Sequence, residues 1–350
     1  MISGLKLANG ITNKVVLQLT LFALFVFITI GHSAAQQLIF SQNYSVPTII
    51  SPSFTGLIEK DRMALSYRDQ WPAIPNTYVT YAMNYDHNFA KLKSGMGIQF
   101  LKDRAGAGDM SLTNVSFLYS YNIKVNKDWY VRPGLSFILS ERNFNFAALT
   151  FGDELVTGTG QGTIEVKPYE KRQYIDFSSS VLGYSKQYWA GLTVDNMMRP
   201  NQSFKGDTAR VPMKFTLIGG VKIPVDFGGK RLKDIQSVSF TMIYRNQQFY
   251  DQLDIGAYYT QEPFQAGIWF RGFPITSNMN VSDVNFMDAI ILLVGYKIMD
   301  ISIGYSYDFT VSNLINHSGG AHELSVVYQF RKDFKRKGKT KYAAVPCPGF

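Results

Sequence analysis

The sequence predicts an all-β chain folded as a closed antiparallel transmembrane β-barrel of about fourteen strands. Three observations predict it. The first is a strict alternation, clearest over residues 301–330, ISIGYSYDFTVSNLINHSGGAHELSVVYQF. Ile301, Ile303, Tyr305, Tyr307 and Phe309 stand on one side, with Ser302, Gly304, Ser306 and Asp308 on the other. After a polar break, His322, Leu324, Val326, Tyr328 and Phe330 oppose Glu323, Ser325, Val327 and Gln329. Two period-2 runs joined by turn residues form a hairpin. The second is what alternates: large aliphatic and aromatic residues against small, polar and acidic ones, the pattern of one wall in lipid and one in a polar lumen. The third is the spacing of the runs. Short and long links tend to alternate, as in barrels with short periplasmic turns and longer outer loops.

The individual runs follow in order. They are 62–69, 76–86, 94–103, 111–123, 129–142, 173–185, 187–196, 211–224, 235–246, 251–260, 263–273, 286–298, 301–310 and 321–331. Val79, Tyr81, Met83 and Tyr85 oppose Thr80, Ala82, Asn84 and Asp86; Phe264, Ala266, Ile268 and Phe270 oppose Gln265, Gly267, Trp269 and Arg271. Links 124–128, 186, 261–262 and 299–300 are short, whereas 143–172, 197–210 and 274–285 are long. An even number of strands returns the C-terminus to the periplasmic side. An unpaired backbone group in hydrocarbon costs several kcal/mol, so the first run must pair with the last. A soluble sandwich or propeller is the competing reading, but no repeat of about 40–50 residues supports a propeller.

Composition agrees with a barrel. Aromatic residues reach 15% and charged residues only 17% of the 350 residues. Residues 1–35 read as a secretory signal peptide: Lys6 and Lys14 precede an apolar run from Val15 to Ile30, and Ser33-Ala34-Ala35 offers small residues for cleavage before Gln36. Residues 36–61 form an irregular periplasmic or lumenal lead-in, residues 62–331 the barrel, and residues 332–350 a basic periplasmic tail. The single cysteine, Cys347, excludes an internal disulfide. The net charge of +9 is concentrated at the ends. Lys6 and Lys14 account for two charges, and Arg331 to Lys341 holds seven basic residues against Asp333, a further +6. The remainder is close to neutral, so nucleic acid is not an indicated partner.

With the barrel pattern in place, an ordered set of short motifs stands out: Arg68-Asp69-Gln70-Trp71-Pro72, Asp254-Ile255-Gly256-Ala257, Gly267-Ile268-Trp269-Phe270-Arg271-Gly272, Gly304-Tyr305-Ser306-Tyr307-Asp308 and Gly320-Ala321-His322-Glu323-Leu324-Ser325. Together they resemble the PorP/SprF family, outer-membrane barrels of the type IX secretion system of the Bacteroidetes. The lead-in is similar to the family's N-terminal Asn-Pro-Ala…Gly segment, with Ser51 and Ser53 where Asn and Ala are usual. The basic tail resembles the gliding-associated SprF branch. The resemblance implies an integral outer-membrane protein that binds, secretes and anchors a large surface adhesin, with a role in surface attachment and gliding motility. The implied partners are the adhesin's C-terminal domain, periplasmic and outer-membrane secretion components, membrane lipid and lipopolysaccharide.

Candidate site residues come from the inward face and the first outer loop. Arg68, Gln70 and Trp71 fall at that loop, either as a clamp for an extracellular chain or as a folded-in plug with Trp71 on the lumen wall. Asp308 and Glu323 face the polar side, and Trp269 and Arg271 share the inward face of one strand. Such charges either pair to support the barrel or line a groove for the adhesin. No catalytic, metal or cofactor motif is present: His87, His317 and His322 are too scattered for a zinc set or a triad. Gly158, Gly160 and Gly162 lack the Lys-Ser/Thr of a phosphate loop and read as a flexible loop. The chain is therefore expected not to be an enzyme. The competing function is an outer-membrane pore for a small solute.

Overall fold

The computed structural model describes residues 39–58, 61–75, 77–106, 108–157, 169–225, 236–248, 250–272, 288–311 and 318–330, with the side chains of 155–157 left aside. The proposed signal peptide, residues Gly158 to Gly162, His317, the basic tail and Cys347 lie outside the described residues.

The strands are β1 (Asp61–Gln70), β2 (Tyr78–Phe89), β3 (Ser94–Ala105), β4 (Met110–Tyr121), β5 (Ile123–Lys124), β6 (Tyr130–Asn143), β7 (Lys171–Tyr184), β8 (Tyr188–Asp195), β9 (Lys214–Val225), β10 (Gln236–Gln247), β11 (Tyr250–Gln261), β12 (Phe264–Arg271), β13 (Ala289–Ile298), β14 (Ile301–Thr310) and β15 (Ala321–Phe330). The two-residue β5 continues the edge of β4 past Asn122, whose N–H turns to the Lys93 carbonyl at 2.7 Å. Counting β4 and β5 as one crossing leaves fourteen, the number the alternation predicts.

Every neighbouring pair is antiparallel, and both seams close. β1 pairs with β15 along its whole length, from Asp61↔Phe330 to Gln70↔Ala321. The sheet order runs from β4 through β1 and β15 back to β6, and the β4–β6 pairing completes the ring. Closure leaves no open edge, which a bilayer requires. Among the described residues no helix is long and apolar enough to cross a membrane.

The two walls separate as the alternation demands. Leu65, Tyr81, Phe117, Leu135, Ile255 and Tyr305 are exposed on the outer wall. An exposed belt of this kind is stable only against lipid. On it, rings from successive strands meet, as at Phe117–Phe137 (6.5 Å) and Phe137–Phe177 (5.2 Å). The inner wall carries buried Arg68, Asn84, Asp86, Arg132, Asp254, Arg271, Asp308 and Glu323. The long links Asn143–Lys171, Asp195–Lys214 and Arg271–Ala289 leave from one end, the outer end by the usual asymmetry of such barrels. A short helix, Gly152–Thr157, lies within the first of them.

Candidate functional site

The lumen is occupied by the chain's own lead-in. Residues 39–58 form a strap with two 3-10 turns, Pro47–Ile49 and Pro52–Phe54, each with proline at its start. Proline fixes φ and removes an N–H, so this stretch joins no sheet ladder. Its Ser, Thr, Asn and Gln side chains bond the lumen wall instead.

At the outer end, wall side chains from four strands converge on Phe40-Ser41-Gln42. The backbone N–H groups of Ser41 and Gln42 donate to the two oxygens of Glu323 at 2.7 and 3.0 Å. The Ser41 hydroxyl accepts from Arg68 Nη1 (2.8 Å) and Arg271 Nη2 (2.9 Å), and donates to Asp308 Oδ2 (2.7 Å). Asp308 Oδ2 also receives Arg68 Nη2 at 2.8 Å and Arg271 Nη1 at 2.9 Å. Asp254 extends the ring, 3.9 Å from Arg271 and 2.6 Å from Arg245. Side chains of these residues are nearly fully buried, so the charges are balanced by one another rather than by water. Just outside β13, burial pushes the Asp288 carboxyl above the ordinary carboxylate range, with Arg271 working against that.

Lower down, the packing becomes apolar and then backbone-specific. Tyr44, Ile50 and Phe54 enter a cluster with Leu182, Trp189, Ile218, Ile243, Tyr258 and Trp269. Tyr44 meets Tyr258 edge-on at 5.5 Å, and Tyr258 meets Trp269 at 5.6 Å. Fully burying Phe54 contributes about 1.5–3 kcal/mol. At the periplasmic end Arg132 donates to the carbonyls of Thr55 and Gly56, and Gly56 N–H donates to Asp86 at 2.8 Å. Asp86 in turn is paired with Arg62 at 2.9 Å. Gly95 and Gly134 lie where the strap backbone presses on the wall, and a Cβ on either would collide with Thr55 or Ser53.

Four of the residues singled out from sequence, Arg68, Arg271, Asp308 and Glu323, meet in this ring. Gln70 touches its edge, accepting from Arg68 Nη2 at 3.4 Å. Trp269 shares the inward face with Arg271 but belongs to the apolar cluster. Trp71 does not join them. It has a positive φ of 63°, its N–H donates to Gly320 O, and its ring packs edge-on against Tyr78 at the rim. The first outer loop is thus not the plug; the strap is. Sequence reasoning missed Ser41, Gln42 and Arg132 as site residues. The inward parity of Arg132 was the one available clue, since the strap has no period to read.

Solved structures similar to the chain are outer-membrane barrels. Omp33 of Acinetobacter baumannii has 8% identity over 79% of this chain and 100% of that chain, with a TM-score of 0.44. A FadL homologue of Pseudomonas aeruginosa has 10% identity over 81% and 92%, with a TM-score of 0.39. A KdgM porin has 10% identity over 77% and 99%, with a TM-score of 0.37. These likenesses are too distant to bear on function. No curated protein matches the chain. The family described as type IX secretion system membrane protein PorP/SprF matches residues 32–328, and with them the strap, both seams and the charged ring. The chain therefore belongs to the PorP/SprF family of type IX secretion system membrane proteins.

Proposed function

We propose that this protein is a binding component of the type IX secretion system in the outer membrane, which receives, secretes and anchors a large surface adhesin through the adhesin's C-terminal domain. Family membership carries the reading, because it assigns the barrel to secretion. The strap in the lumen supports a role in binding rather than permeation: where Tyr44 and Phe54 pack against Ile218, Ile243, Tyr258 and Trp269, the cavity left between strap and wall is about 10 Å³, no more than a single water needs. In this reading the protein is not an enzyme. The outer loops and outer lumen face the adhesin, the apolar belt faces membrane lipid and lipopolysaccharide, and the basic tail meets periplasmic components. The SprF branch, and with it gliding, is part of the same proposal.

Deletion of the gene tests it. Surface display of one adhesin, read by antibody on intact cells, should be lost while bulk type IX secretion into the medium continues. Unchanged display would sink the reading.

A further inference from the structure

The strap is held in two different ways along its length. Its lower part is built in: Gly95 and Gly134 admit its backbone, and Arg132 grips two successive carbonyls. Its outer end, Phe40 to Gln42, is held mainly by wall side chains that read a short sequence. Glu323 takes two successive N–H groups, and Arg68, Arg271 and Asp308 surround one hydroxyl. The Gln42 carboxamide donates to Ser306 Oγ (3.3 Å) and Glu323 O (2.8 Å), and accepts from Ser325 and Tyr44. Gly304 makes room for it, since a Cβ there would lie 2.6 Å from Gln42 Oε1. Yet the self-fit is incomplete. Arg68 Nε and Asp308 Oδ1 are buried with no hydrogen-bond partner among the described residues. Buried polar atoms left unpaired are costly, and an occupant that also reached them would be held better than Ser41 is.

We propose that the outer third of the lumen is a peptide-recognition site for a polypeptide segment with a hydroxyl residue followed by a carboxamide residue. The chain's own Ser41–Gln42 keeps the site filled, and a partner segment of that chemistry replaces the strap's outer end while the Phe54 end stays anchored. The partner is the secreted protein of the proposed function, so its identity, though not the chemistry of the site, rests on that reading.

Purified full-length protein in detergent can be probed with a fluorescent peptide copying residues 39–46. The double variant Ser41→Gly, Gln42→Ala should bind it saturably, about tenfold or more tighter than the wild type, whose site is filled. Adding Glu323→Gln should weaken that binding by about tenfold or more. No saturable binding to the double variant, or binding indifferent to Glu323→Gln, overturns the proposal. Hydrogen exchange on the unaltered protein gives an arm independent of any folding defect. The Ser41 and Gln42 amides should exchange about tenfold or more faster than those of Phe54, Thr55 and Gly56, because the outer end opens alone. Equal protection overturns the proposal as well. If the secreted partner were wrongly assigned, the peptide and exchange results would stand and only the display experiment would fail.

Discussion

Asp308 shows how much one inward side chain controls. Its Oδ2 accepts from Ser41, Arg68 and Arg271, all between 2.7 and 2.9 Å. Asp308→Asn keeps the shape but leaves two buried guanidinium groups short of an anion. Breaking a buried pair in this way costs about 3–5 kcal/mol. The expected outcome is a clear fall in the unfolding midpoint of the detergent-solubilised barrel, read by heat-modifiable gel mobility. Asp109→Asn is the control, since its pair with Arg104, at the end of β3, is half-exposed and exposed pairs contribute about 0–1 kcal/mol. A shift as large in the control would show that charge alone, not burial, sets the effect. Arg68, Arg271, Asp308 and Glu323 were legible in the sequence because alternation fixes which way each points. Their convergence on Ser41 was not legible. It depends on a segment whose prolines and lack of period hide its path, and on contacts spanning more than 200 positions of the chain.

At the scale of the strand, the alternation was nearly sufficient. The fourteen runs coincide with the observed crossings within a few residues, and the departures have local causes. The run from 211 starts only at Lys214, because Val211 N–H is used by Pro200 O and Pro212 has no N–H to give to a ladder. β4 breaks at Asn122, whose side chain accepts the Tyr184 hydroxyl at 2.9 Å instead of continuing the strand. The same alternation predicts how substitutions depend on depth. Phe117 lies well within β4 on the outer wall, and Tyr121 ends that strand on the same wall. Phe117→Arg should destabilise the folded barrel by about 2–4 kcal/mol and Tyr121→Arg by only about 0–1 kcal/mol, the difference expected between bilayer centre and interface. Urea unfolding from lipid vesicles measures both. Equal costs would mean that the outer wall does not face hydrocarbon.

For the whole molecule, the consequential feature is that the ring of strands encloses a piece of itself. A barrel of this size must fill its interior with side chains, a plug or water. Here the strap supplies the filling: Phe40 packs with Ala82 and Leu101, Val46 with Ala64 and Val327, and Tyr44, Ile50 and Phe54 with the aromatic wall. The sequence left residues 36–61 either periplasmic or lumenal and could not trace their path, because a lumen-filling segment needs no periodicity of its own. The filling has a direct electrical consequence. Inserted in a planar bilayer, the intact protein should show no steady single-channel conductance, since Phe40, Tyr44, Val46, Ile50 and Phe54 of the strap pack directly on the wall. Removal of residues 39–50, which leaves Phe54 and the Arg132 grip in place, should produce stepwise conductance, because the polar ring of Arg68, Arg271, Asp308 and Glu323 would then border water. Steady conductance of the intact protein would contradict the filled lumen. A silent truncated barrel that still shows heat-modifiable mobility would mean that side chains of the wall, and not the strap, close the passage.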